Sequence, residues 1–220
     1  MRKFNITHAV LSIMATIAVS SASAASVSYT SLAAFNAAVQ SSGTDTFSDL
    51  NGGSILPTTI SRTAGAYSYT ASSASALFQG HDANGFLSND NRGDSIVFSG
   101  FSPSITAIGA NFFGSTLAGN FLLGESIRID ILESDSDTFT VNLSNTSLSS
   151  FWGYVADSSI TSLTFTSLGL SLLWPSVDNL TLAQARPVVT DPNPIPEPAS
   201  LALFGLAALA ARVASRRRKV

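Results

Sequence analysis

The chain has 220 residues, 45% hydrophobic and only 11% charged, and it contains no cysteine, which excludes disulfides, a thiol nucleophile and Cys-ligated zinc. Its formal charge of −3 hides an asymmetry: seven of eleven Lys and Arg lie at the two ends, leaving Arg62, Arg92, Arg128 and Arg186 against fourteen carboxylates, hence −10 for the interior. So acidic a surface repels phosphate backbones and excludes nucleic acid as a partner, while it accommodates divalent cations.

Residues 1–24 read as a secretory signal peptide. Arg2 and Lys3 form the basic start, Ala9 to Val19 the apolar core, and Ala22-Ser23-Ala24 the small-x-small site that signal peptidase cuts, so that Ala25 begins the mature chain. About 160 residues then remain before the C-terminal elements, enough for one domain with a sizeable core.

That domain is expected over residues 25–185. Ser31 to Gln40 reads as a short amphipathic helix, with Leu32, Phe35 and Val39 on one face and Ser31 or Thr30 as cap. From Asp45 onward the apolar period changes to two. The clearest runs are Ser95 to Ser99, Ile105 to Phe113, Ser126 to Leu132, Thr138 to Leu143, Phe151 to Ala156, Ile160 to Thr166 and Val177 to Ala183. Ile127, Ile129 and Ile131 alternate with Arg128 and Asp130, one face buried and one wet. Glu133 to Asp137 then turns the chain into Phe139 and Val141, which predicts a hairpin. Many short strands with polar turns make an all-β, antiparallel β-sandwich the expected fold. Length and the missing Cys…Trp…Cys pattern favour a jelly roll over an Ig-like arrangement.

Pro187, Pro192, Pro194, Pro196 and Pro198 are five of the chain's eight prolines, and residues 186–195 read as an extended stalk. An apolar run from Ala199 to Ala211 follows. Its thirteen residues span ~20 Å as helix, against ~30 Å of hydrocarbon. Extension to Ala214 lets Arg212 snorkel, giving a marginal transmembrane helix over 199–214. Arg212, Arg216, Arg217, Arg218 and Lys219 form a basic stop-transfer tail that keeps the C-terminus cytoplasmic and the domain outside.

Candidate chemistry in the domain is sparse. His81 beside Asp82 has no nucleophile-elbow sequence with it and reads as a loop histidine. Glu125, Glu133 and the ten Asp before the stalk lie mostly in turn-like clusters, where carboxylates cap backbone. Calcium is the better metal candidate: Asp45 and Asp49 flank the first strand and Asp178 opens the last, and strand ends that meet would offer oxygen ligands to a structural Ca²⁺. The loops 89–94 and 133–137 are further oxygen-rich candidates, and neither has EF-hand spacing. Trp152, Tyr154 and Trp174 are the candidates for a sugar-stacking face.

Pro196-Glu197-Pro198, the Leu/Ala/Gly-rich run through Leu201, Phe204, Gly205 and Leu209, and the Arg-rich end resemble the PEP-CTERM sorting signal of Gram-negative bacteria over residues 196–220. The resemblance implies recognition by an exosortase, a membrane-embedded cysteine transpeptidase-like enzyme, through Pro196, Glu197 and Pro198. It implies release or transfer of the domain from the inner membrane to the cell surface or extracellular matrix, in the company of exopolysaccharide and biofilm. The segments Ala107 to Phe113, Phe151 to Tyr154 and Val177 to Leu180 are similar to recurring stretches of β-rich domains attached to this signal, which implies a sandwich of the carbohydrate-binding-module type. The expected function is non-catalytic: a structural or adhesive surface protein that binds glycan. A secreted hydrolase of matrix polysaccharide and a permanently anchored envelope protein are the alternatives.

Overall fold

A computed structural model describes residues 25–81, 85–169 and 173–187. The signal peptide, the stalk beyond Pro187 and the C-terminal apolar run lie outside the described residues. Within them, no helix is long and apolar enough to cross a membrane.

The fold is an antiparallel β-sandwich with one short helix. In chain order the elements are β1 (Val27–Tyr29), α1 (Leu32–Ala38), β2 (Val39–Asp45), β3 (Thr59–Ala64), β4 (Tyr67–Ser73), β5 (Leu77–Gln79), β6 (Leu87–Asn89), β7 (Ile96–Ser102), β8 (Ile105–Ser115), β9 (Phe121–Leu122), β10 (Glu125–Glu133), β11 (Thr138–Thr146), β12 (Phe151–Ser167) and β13 (Trp174–Ala185). The seventeen-residue β12 belongs to both layers. Its first half pairs with β1 and β8, and through β8 the layer continues to β13, then to β2 and β6. Its second half pairs with β7 and β10, giving the order β3-β4-β7-β12-β10-β11. The layers face each other through Phe112 and Phe165, whose ring centroids lie 5.2 Å apart, with Phe98, Ile129, Trp152 and Val177 in the same core.

The alternation in β10 behaves as the sequence predicts. Ile127, Ile129 and Ile131 are buried while Arg128 is exposed, and Ile131 pairs with Phe139 across the hairpin. Two expected runs, Phe151 to Ala156 and Ile160 to Thr166, are one strand. The polar break Asp157-Ser158-Ser159 falls where β12 passes between layers, and there Ser158 donates both N–H and O–H to Glu133.

The helix is shorter than expected. Ser31 caps it, its Oγ accepting from Ala34 N, but Val39 turns extended and starts β2, so a strand precedes Asp45. Phe35 is fully buried against Phe151, 5.5 Å between centroids, whereas Leu32 is exposed rather than on the core face. Gly43 is required by a close approach: a Cβ there would run into the backbone of Ala64 and Gly65.

Candidate functional site

Three of the segments singled out in the sequence meet at Asn111. That residue pairs with Phe151 on one side and Asp178 on the other. Between Asp178 and Thr181 the register slips, and Asn179 takes a left-handed φ of 55°. The resulting bulge re-aims the Asn179 side chain: its Nδ2 donates to Asp178 Oδ2 at 3.0 Å and to Asn111 Oδ1 at 3.4 Å. The bulge opens a cleft of about 340 Å³ lined by Leu32 and Asn36 of α1, Ser42 and Thr44 of β2, Asn111, Phe151, Asn179 and Thr181. Thr44 and Thr181 share a hydroxyl–hydroxyl hydrogen bond of 2.9 Å. No lining side chain is titratable. Amides and hydroxyls surround one half-buried aromatic ring, an arrangement suited to a neutral polyhydroxylated ligand and offering no acid, base or nucleophile of perturbed pKa.

Asp45 and Asp49 do come together, on a protein cation. Arg62 donates to Asp45 from Nε (2.6 Å) and Nη2 (2.8 Å) and to Asp49 from Nη1 (3.0 Å) and Nη2 (2.7 Å). Asp45 also accepts from Tyr69 Oη at 2.7 Å and Phe47 N at 3.0 Å. Its four donors leave no vacant coordination edge, and the guanidinium stands where a Ca²⁺ shared by these two residues would. Asp178 joins neither. It lies five residues into β13 rather than at its start, and its carboxylate accepts from the N–H and Nδ2 of Asn179. The expected Asp45, Asp49, Asp178 cage is therefore not assembled. Among the described residues, the three carboxylates whose oxygens lie within 4.8 Å of one another are Glu133, Asp135 and Asp157.

The Arg62 hydrogen bonds hold the exposed Asp49 carboxyl below its ordinary value. Burial alone would lower the Arg62 guanidinium, and its bonds to Asp45 and Asp49 outweigh that and raise it. Burial, then the Asp45 charge, pushes the Tyr69 phenol well above the usual range. Burial likewise pushes Tyr154 up to about 12, with its hydroxyl donating to Glu133 Oε1 at 2.7 Å.

The expected sugar platform is corrected by one step of register. Trp152 and Tyr154 are 1% and 2% exposed, stacked on each other at 6.0 Å and 14° and covered by Phe139. Trp174 is also buried, its Nε1 donating to Asp90 O. Alternation along β12 turns these rings inward and leaves Phe151 at the open cleft. Sequence reasoning missed Asn36, Asn111 and Thr181 altogether. The available signal was Asn111, a lone amide inside the apolar run Ile105 to Phe113. His81 is an exposed loop residue, its N–H donating to Gly119 O.

Beyond these residues, positions 194–219 match the PEP-CTERM protein-sorting motif family. The chain carries a PEP-CTERM sorting motif. Pro196, Glu197, Pro198, Arg212, Arg216, Arg217, Arg218 and Lys219 all fall inside the match, and all lie outside the described residues, as do Ala22 and Ala24 at the expected signal-peptidase site. Ala25 is exposed just ahead of β1. No curated protein matches the chain. Among solved structures, TmCBM61 in complex with β-1,4-galactotriose is similar at 13% identity and a TM-score of 0.35, covering 52% of this chain and 86% of that one. The CBM22-1 xylan-binding domain of Paenibacillus barcinonensis Xyn10C is similar at 12% identity and a TM-score of 0.33, covering 68% and 98%.

Proposed function

We propose that this protein is exported, held briefly in the inner membrane by its C-terminal helix, and passed by an exosortase to the cell surface or extracellular matrix. There its sandwich plays a non-catalytic, adhesive part in exopolysaccharide and biofilm by taking a neutral glycan into the Asn36–Asn111–Asn179 cleft. The observation that carries the reading is the sorting motif at 194–219. The cleft supports its second half, because amide and hydroxyl donors with one open ring fit sugar hydroxyls and a sugar's apolar face. The interior charge of −10 favours neutral polymers over anionic ones.

The test is a glycan array probed with the purified protein, its Asn36→Ala and Asn111→Ala variants, and melting curves as a folding control. Binding to neutral glycans that drops about tenfold in each variant, ~1.4 kcal/mol, supports the reading. Binding unchanged in both variants, or turnover of any glycan, removes the cleft or the non-catalytic role.

A further inference from the structure

A second feature lies away from the cleft, where β4 ends and β7 begins. Ser73 pairs with Ile96, and continuing that antiparallel register sets Ser75 opposite Asp94. Ser75 N donates to Asp94 Oδ2 at 3.0 Å, which confirms the pairing beyond the strand. Period two then puts Ser73, Ser75 and Asp94 on one face, the face that buries Tyr69, Ala71 and Ile96. Asn89 closes the corner from β6. It is 1% exposed, and its Nδ2 donates to the Asp94 carbonyl at 2.8 Å. The loop between them is pinned by Asp90 N to Ala76 O at 2.9 Å and by Trp174 Nε1 to Asp90 O at 3.2 Å.

Three side-chain oxygens in this corner are buried without a hydrogen-bond partner: Ser73 Oγ, Ser75 Oγ and Asn89 Oδ1. They are the full set of such atoms among the described residues, and all three fall here. Burying an unsatisfied polar atom is unfavourable, so three together call for a shared partner. The partner's chemistry follows from the donors. Asn89 Oδ1 can only accept or coordinate, and its amide cannot be flipped without setting oxygen against the Asp94 carbonyl. Asp94 adds a partly buried carboxylate. One carboxylate, one amide oxygen and two hydroxyls are a hard, all-oxygen set.

We propose that this corner, Ser73, Ser75, Asn89 and Asp94, binds a single structural Ca²⁺ that ties the end of β4 to the β6–β7 loop. The site is separate from the Asp45–Asp49–Arg62 cluster and stands independently of the glycan reading. With one carboxylate, its affinity belongs in the range of extracellular modules, a Kd of ~10⁻⁴–10⁻³ M.

The test uses the full chain in detergent, stripped with chelator. Ca²⁺ raises the melting temperature with half-saturation at ~10⁻⁴–10⁻³ M, and Tb³⁺ gives luminescence sensitised by Trp174 that Ca²⁺ quenches by competition. Asp94→Asn retains an oxygen for Ser75 N yet weakens both responses about tenfold or more, since the site loses its charge. Ser75→Ala separates ligand from orphan: a ligating hydroxyl makes it weaken Ca²⁺ binding several-fold, whereas an orphaned one makes it neutral or stabilising with the Ca²⁺ response intact. The double variant Asp135→Asn/Asp157→Asn removes the other acidic cluster and keeps the response. No Ca²⁺-dependent melting shift and no Tb³⁺ signal would mean that water alone satisfies these atoms, and would overturn the proposal. A response abolished by the 135/157 variant and untouched by Asp94→Asn would do the same.

Discussion

Arg62→Ala is the substitution whose cost follows most directly from the structure. Asp45 is 6% exposed and accepts four hydrogen bonds, two of them from Arg62. Truncation removes both bonds and the cation and leaves a buried carboxylate with two neutral donors. Breaking one side of a buried ion pair costs about 3–5 kcal/mol, since the remaining charge stays desolvated. The second partner adds little: Asp49 is 65% exposed, and such a pair is worth about 0–1 kcal/mol. The Arg62 guanidinium also lies 5.0 Å over the Phe47 ring, for roughly 0.5–1 kcal/mol. At this chain length, 3–5 kcal/mol corresponds to a fall in Tm of about 6–20 °C. Urea and thermal unfolding of the parent, Arg62→Ala, Asp45→Asn and the double variant give a thermodynamic cycle. The double variant is expected to cost clearly less than the sum of the singles, because a neutral amide in place of the Asp45 carboxylate no longer needs the cation. Arg62→Ala within about 1 kcal/mol of the parent, with additive singles, would refute the buried-pair argument.

Other expectations rest on neighbouring observations. Trp152→Ala empties the stacked core under Phe139 and costs about 3–5 kcal/mol in unfolding experiments, whereas Phe151→Leu changes stability far less and shows its loss in glycan binding. Because Tyr69 and Tyr154 ionise later in the folded protein than as free phenols, stability is level below pH ~10 and falls as the pH climbs through the raised folded values. Spectrophotometric phenolate titration checks this, and ordinary titration of all four tyrosines would contradict it. Asp49 acts in the opposite sense: its depressed value adds a small stability present above pH ~4 and lost as the pH falls further, and Asp49→Asn removes that acid dependence. Gly43→Ala forces β2 away from Ala64 and costs about 1–3 kcal/mol by chemical denaturation.

The β10–β11 hairpin was legible because strict alternation and a polar turn both point to it. By contrast, β3 and β4 carry their cores on Ala64, Tyr67, Tyr69 and Ala71 among serines and threonines, so their hydrophobic contrast is weak. The junction in β12 looked like a turn because three consecutive polar residues sit there. Their partners, Glu133 and Ser26, lie 25 and 131 residues away, beyond any local pattern. The cleft failed to show for a related reason. Alternation says that Phe151 and Trp152 face opposite ways, but which phase is inward depends on β8 and β13 packing alongside. The Arg62 cluster was equally hidden: two acids seventeen and thirteen residues from an arginine invite a metal reading until the strands are paired. The sorting motif needed no fold at all, since its order of Pro-Glu-Pro, apolar run and cations is linear.

The account turns on what happens at that motif. Mass spectrometry of the C-terminal peptide from protein recovered at the surface of native cells reads it directly. A mature chain ending near Pro196-Glu197-Pro198, with the apolar run and basic tail gone, is the predicted result. A surface protein that still ends in Arg216-Arg217-Arg218-Lys219-Val220 would contradict it and leave a permanently anchored envelope protein in its place.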